Sequence, residues 1–308
     1  MQTASRVLHL MGTVITIQID AIEPSPILDE VERRLRSYEH RFSANSADSE
    51  LMQVTHNAGV QPFVVDPELY RLIKIGQQAS AVREDNLNIA IGPLVQTWRI
   101  GFNDAKVPTP AEIKTALALI DPANIRLDDA AHSVYLTKPG MAIDLGALAK
   151  GYFADLIRDY LGAQGVKTAL INLGGNVVVM GPNAKHADGD WRVGLQDPVK
   201  PRGQFKLVLK LQNKSVVTSG IYERQLTADG HTYHHILDTR TGYPVDTDVV
   251  SLTIVSDSSL DGELWTTRLF GQPRNRIMAK VATMAGIDAI VITADGRLVT
   301  TLPKSYFG

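Results

Sequence analysis

INLGGNVVVMG, residues 171–181, decides the fold. Two apolar runs, the second rich in valine, flank a glycine pair, and runs joined by so short a connection read as an antiparallel hairpin. The same texture extends from residue 166 to 257, with further turns at Gly181-Pro182, Asp197-Pro198, Asp229-Gly230 and Thr241-Gly242. Strands that follow one another through short turns pair antiparallel, because a parallel neighbour needs a long crossover. Only two or three helices stand between strands in βαβ fashion. The chain is therefore predicted to be α+β, with largely antiparallel sheets and flanking helices.

Working outward, VLHLMGTVITIQID (7–20) reads as a strand interrupted at Met11-Gly12-Thr13, where the glycine marks a bulge or a close approach by another group. Residues 26–41 carry Ile27, Val31, Leu35 and Tyr38 at helical spacing, and a second helix is expected over 67–83, before a loop at 84–88. NIAIGPLVQTWRIG (88–101) is apolar but punctuated by Gly92-Pro93, a pair that sits badly inside one regular element and suits a pocket wall. A helix over 110–120 follows, then a hairpin around 128–132 and a strand over 133–137. MAIDLGALAKGYFADLIRDYLGAQG (141–165) couples a short strand, a glycine turn and a long amphipathic helix ending at Gly162 or Gly165. Residues 259–300 supply a helix pair and a closing strand.

The composition is that of an ordinary globular chain: 308 residues, 44% hydrophobic and 21% charged. With 31 Lys+Arg against 33 Asp+Glu, the chain has no basic excess to bind nucleic acid or an anionic membrane. Cysteine is absent, which excludes disulfides, thiolate metal sites and a cysteine nucleophile, so any metal must rest on oxygen or imidazole. No apolar run approaches the roughly 18 residues of a membrane span. As written, the chain reads as cytoplasmic, or as periplasmic if an export signal was trimmed from its N-terminus.

Five segments carry candidate chemistry. DLGALAKGYFADL (144–156) sets an acid and a glycine turn before a helix start bearing Lys150, where free N–H groups and the helix dipole favour a phosphate. An ordinary strand–turn–helix is the plainer alternative. NLGGN (172–176) is either a tight hairpin or a place where a planar or anionic ligand meets the backbone at Gly174 and Gly175. TSGIYERQ (218–225) adds the hydroxyls of Thr218 and Ser219, followed by Tyr222, Glu223 and Arg224, as phosphate or ribose contacts or as a polar strand end. In HTYHHILDTRTGYPV (231–245), His234 and His235 are adjacent on a strand, so only one of them faces a pocket, and a pocket histidine is the best candidate general base. In DSSLDGELWTTRLFG (257–271), Glu263 and Thr267 share a helix face and form an oxygen set suited to Mg2+, or else a solvated face.

Taken in order, FSANSADSEL (42–51), NIAIGPLVQTWRIG, DLGALAKGYFAD, INLGGNVVVMG, WRVGLQDP (191–198), VVTSGIYER and HHILDTRTGYPV resemble the ApbE flavin transferase family, the FAD:protein FMN transferases. The resemblance runs from Met11 to the C-terminal strand. It implies a T-fold-like architecture in one interwoven domain over 1–308, with FAD in a cleft between sheet and helices. It also implies a Mg2+-dependent transfer of FMN from FAD to a Thr or Ser hydroxyl of an acceptor flavoprotein, with release of AMP. By matching positions, Met11, Asn45, Asn86, Leu87, Asn88, Asp144, Lys150 and Leu237 fall on the cofactor, joined by Gly174, Gly175, Thr218 and Ser219. Ala147, through its carbonyl, and Glu263, Thr266 and Thr267 fall on the metal, and His235 falls on the base that deprotonates the acceptor. The chain has Glu263 where the family usually has aspartate, Asn45 where an aromatic residue is frequent, Asn88 where aspartate is common and Arg268 in place of a small residue. The same site residues would serve an FAD pyrophosphatase, with water replacing the acceptor, or a flavin-binding protein without catalysis.

Overall fold

A computed structural model describes residues 1–82 and 85–308. The chain opens with β1 (Gln2–Leu10), β2 (Thr13–Ala21), α1 (Pro24–Arg41), α2 (Glu50–His56), β3 (Phe63–Val64) and α3 (Pro67–Ser80). Then come α4 (Gly92–Trp98), α5 (Pro110–Leu117), β4 (Ile125–Asp128), β5 (Ser133–Leu136), α6 (Ala149–Ala163), β6 (Thr168–Leu173) and β7 (Asn176–Met180). The remainder is β8 (Trp191–Gln196), β9 (Phe205–Leu211), β10 (Lys214–Gly220), β11 (Gln225–Ala228), β12 (His231–His234), β13 (Val249–Ser256), α7 (Ser259–Leu269), α8 (Arg274–Val281), β14 (Ile287–Thr293) and β15 (Leu298–Thr300).

Eight strands form the main sheet in the order β1-β2-β6-β7-β10-β13-β14-β15, and every neighbouring pair is antiparallel. This is the α+β class expected from residues 166–257. Alternation along each strand sorts the two faces. Ile15, Ile17 and Ile19 of β2 join Ile171 of β6 and Val178 of β7 under α1 and α6, while Leu252 and Ile254 of β13 pack with Ile277 of α8. On the opposite face, Val179, Val216 and Val255 are covered by Trp191, Val193, Leu209 and Leu211 of the β8–β9 hairpin. β13 is consequently buried on both sides along almost its whole length, and it reads as the continuous apolar run VVSLTIVS.

Four expectations are corrected. The interrupted strand at residues 7–20 is two strands, β1 and β2, joined by a two-residue turn with Met11 at φ 55° and Gly12 at φ 67°. Both central residues are left-handed, the geometry that matches strand twist in a hairpin. The Gly92-Pro93 pair does not break an element. It opens α4, because proline at the first helical turn gives up an N–H that has no helical partner anyway. At residues 141–144 no strand forms; Asp144 N–H instead reaches the Ile89 carbonyl at 2.9 Å. The helix expected over 67–83 ends at Ser80; Arg83, the last residue of the expected span, and Glu84, the first of the expected loop, lie outside the described residues.

Candidate active site

Register brings the glycine-rich segments to one end of the sheet. β6 ends at Leu173 and β7 begins at Asn176, with Gly174 (φ 64°) and Gly175 (φ 104°) between them. A Cβ on Gly174 would lie 2.4 Å from Thr13 Oγ1, so this hairpin tip rests against the tip that carries Met11 and Gly12. Because Val216 pairs with Val177, the last residues of β10, Ser219 and Gly220, extend past the glycine turn. Both hairpin tips and the end of β10 therefore share one sheet end.

α6 enters the same region. Its N-cap, Leu148, makes no side-chain capping bond; the Ala149 N–H goes to the Leu145 carbonyl at 2.8 Å, and the next N–H groups of the first turn, at Lys150 and Gly151, have no capping side chain. One turn before it, Asp144 accepts the Gly146 N–H at 2.7 Å. Burial raises the Asp144 pKa, opposed by that hydrogen bond and by the charges of Arg224 and Lys150.

α7 lies against α6 at close range. A Cβ on Gly151 would fall 2.5 Å from the Ser259 carbonyl and 2.7 Å from Glu263 Cγ. Asp155 of α6 accepts from Ser258 Oγ at 2.7 Å and from the Ser259 and Leu260 N–H groups at 2.9 Å each, capping α7 from its neighbour. That docking points Glu263, 5% exposed, at α6 and β7: its Oε1 accepts from Asn176 Nδ2 at 2.7 Å and lies 3.4 Å from Lys150 Nζ. The other carboxylate of α7, Asp261, lies toward Asp155 and Asp257, whose charges, after burial, raise its pKa. Thr266 is buried, its hydroxyl donating to the Glu263 carbonyl at 3.1 Å, and Thr267 is partly exposed. Ala147 is exposed in the turn before α6. Among the described residues no three His, Cys, Asp or Glu side chains gather in a metal-binding cluster.

The histidine pair divides as strand alternation requires. His234 is buried, its Nδ1 accepting from Ile236 N–H at 3.3 Å and its Nε2 therefore donating to the Val245 carbonyl at 3.1 Å, so it is structural. His235 lies on the other side, with Nδ1 3.4 Å from the Arg224 carbonyl, which fixes the proton on Nδ1 and leaves Nε2 its lone pair. Burial, then the Arg224 charge, pushes the His235 pKa down to about 4, with smaller contributions from His234 and Lys150 and only partial opposition from the Arg224 carbonyl. The ring is neutral at pH 7.

Other expected residues are more scattered. Asn86 bridges two walls, donating to the Leu237 carbonyl at 3.0 Å and accepting from Thr239 N–H at 3.4 Å, while its own N–H reaches the Arg268 carbonyl at 3.2 Å. Asn88 uses its amide to cap the turn at Ala90 and to reach the Ile120 carbonyl at 2.7 Å. Leu87 and Leu237 are buried in separate apolar clusters, the latter with Leu94, Trp98 and Ile113. Thr218 pairs with Thr253 at 2.8 Å on the β8–β9 face, away from Glu263, whereas Ser219 shares the α7 face with Val217. Asn45 is exposed and, with Glu39, His40, Ser43 and Ser46, lines a cavity of about 360 Å3; Glu39 also accepts the Met11 N–H at 2.5 Å. Arg268 turns from the cleft to Asp85 and lies 4.3 Å over the Trp265 ring. Asn176 was missed as a site residue in the sequence reading, although strand alternation from the glycine turn places it inward.

Residues 11–291 match the sequence profile of the ApbE family. An FAD:protein FMN transferase of Klebsiella pneumoniae is 42% identical over 295 residues, covering 96% of this chain and 90% of the relative. One from Treponema pallidum is 36% identical over 311 residues, covering 96% and 85%. Among solved structures, the ApbE protein of Thermotoga maritima superposes with a TM-score of 0.87 at 27% identity, covering 97% of this chain and 96% of that one. The flavin transferase ApbE of Vibrio cholerae superposes with a TM-score of 0.81 at 25% identity, covering 99% and 98%. With this fold and these relatives, the protein is an enzyme of the transferase class. The chain belongs to the ApbE family. Among the described residues no helix is long and apolar enough to cross a membrane.

Proposed function

We propose that the protein is a Mg2+-dependent FAD:protein FMN transferase, which moves FMN from FAD to a Thr or Ser hydroxyl of an acceptor flavoprotein and releases AMP. The observation that carries this reading is the placing of Glu263, Asn176 and Lys150 together at the start of α6, which has no side-chain cap, with His235 neutral and its tautomer set. Phosphoryl transfer asks a protein for charge neutralisation and an oriented nucleophile more than for covalent chemistry. The acceptor oxygen bonds to the FMN phosphorus, the bond from that phosphorus to the bridging oxygen breaks, and AMP leaves with the bridging oxygen. The hydroxyl proton passes to His235 Nε2. Lys150 and the N–H groups at the start of α6 hold phosphate oxygens, and Met11, Gly12, Gly174 and Gly175 form the strand tips against which the flavin lies.

The donor set fits Mg2+: one carboxylate, Glu263, with the hydroxyls of Thr266 and Thr267 and the Ala147 carbonyl, all hard oxygens that leave places for phosphate and water. When bound, the metal supplies charge neutralisation at the pyrophosphate. Incubating the protein with FAD, Mg2+ and an acceptor domain bearing a target threonine, then weighing the acceptor, tests the reading. An added FMN mass is expected. Free FMN and AMP with an unmodified acceptor would make the protein a pyrophosphatase, and intact bound FAD would remove both activities.

A further inference from the structure

We propose that Arg224 is a phosphate-binding residue of this site, its guanidinium taking oxygens of the transferred phosphoryl group on the His235 side of the cleft. The inference rests on the transferase reading and adds a residue to it. Arg224 lies in the short link between β10 and β11, directly after Glu223, and the two side chains part company. Glu223 pairs with Arg202 at 2.5 Å. Among the described residues Arg224 has no ion-pair partner, although two neighbouring groups feel its charge: it lowers the pKa of both Asp144 and His235.

The direction of the side chain is built in. Gly101, at φ 92°, leaves the space the arginine stem crosses: a Cβ there would lie 2.8 Å from Arg224 Cδ. The backbone of the same residue holds the base, since the Arg224 carbonyl accepts the His235 N–H at 3.2 Å and orients its Nδ1 at 3.4 Å. Asp144, the acid within reach of the Arg224 charge, has no ion pair to it and accepts from Gly146 N–H instead. Lys150, the other cation whose charge reaches the base, already has Glu263 at 3.4 Å, whereas among the described residues Arg224 has no acid. A planar fork with no carboxylate partner among the described residues, beside a general base and a half-buried acid, matches a phosphoryl group whose oxygens bear the charge of the reaction.

The test compares wild type with Arg224→Gln and Arg224→Lys in the full chain. Binding is measured by quenching of flavin fluorescence, with FAD and with riboflavin, which lacks phosphate. Transfer rates are followed from pH 4 to 8. Arg224→Gln is expected to weaken FAD about tenfold or more, to leave riboflavin within about twofold, and to move the acid limb of transfer upward as His235 loses a neighbouring positive charge. Arg224→Lys keeps the charge and is expected to hold the limb in place. Equal losses for FAD and riboflavin, or no change in either, would overturn the inference while leaving the transferase reading intact. A wild-type chain that binds no FAD would overturn both.

Discussion

Asn176 and Glu263, one on the strand after the glycine turn and the other on α7, meet at 2.7 Å through the Asn176 amide and Glu263 Oε1. Both are buried, at 3% and 5% exposure, so the amide is a fixed donor that orients the carboxylate. Lys150 approaches the same oxygen, at 3.4 Å. One strand and two helices thus converge on a single carboxylate.

Asn176→Ala removes that donor and leaves a buried carboxylate short of one partner. The expected cost is about 1–3 kcal/mol in urea unfolding. If Glu263 holds Mg2+ as proposed, the Mg2+ concentration for half-maximal transfer should rise, because a carboxylate free to rotate no longer presents one oxygen to the metal. An unchanged metal titration would show that Glu263 needs no such orientation.

His235 and His234 separate by pH and by mutation. With the His235 pKa at about 4, the proposed base stays unprotonated through the neutral range, so transfer should show no acid limb near the ordinary 6.5 of histidine. Both imidazoles are held below that ordinary value, so the unfolded chain takes up protons first and stability falls as pH drops from about 6.5 toward 4. His235→Ala should flatten part of that fall, keep FAD binding and lower transfer by about 10²–10⁴. His234→Ala should instead lower stability at pH 7 by about 1–3 kcal/mol, because the Val245 carbonyl loses its donor.

Gly151→Ala tests the contact of α6 with α7. The added methyl would meet the Ser259 carbonyl at 2.5 Å and Glu263 Cγ at 2.7 Å, so the helices must part. Overpacking of this kind costs about 1–3 kcal/mol. Transfer should fall even at saturating Mg2+, because Glu263 moves with α7 away from Lys150. Full activity with a lowered unfolding midpoint would confine the contact to a structural role.

What the sequence revealed follows the range of the interactions. The Gly174-Gly175 hairpin was legible because a two-residue turn with positive φ is a local demand. The end of α6 was legible for the same reason, with Gly165 at φ 79° just past its last turn. Gly92-Pro93 was misread because the same dipeptide that ends elements also starts helices, and only the packing of Leu94 and Trp98 against Ile113 decides between them. Asn176 stayed hidden as a site residue because Glu263, which gives it direction, lies far away in the chain, and Arg224 was legible only as one member of a polar cluster, since Gly101, which directs its stem, is equally distant. The division of labour between the two histidines was legible as a rule of alternation, but the choice of His234 as the structural one depends on the Val245 carbonyl.

Met11 carries the remaining prediction, on strain and function together. A methionine at φ 55° costs about 1–2 kcal/mol, and here it stands in a turn that a glycine pair would satisfy. Its N–H is held by Glu39 at 2.5 Å, beside the cavity lined by Asn45, so the strained residue is fixed at the sheet end where the flavin is proposed to lie. Met11→Gly should therefore raise stability by about 1 kcal/mol while weakening FAD binding, since the side chain proposed to cover the ligand is lost. Thermal unfolding and flavin fluorescence on the same samples measure the two effects. A variant that is more stable and binds FAD as well as wild type would remove Met11 from the ligand site and leave its conformation without a functional reason.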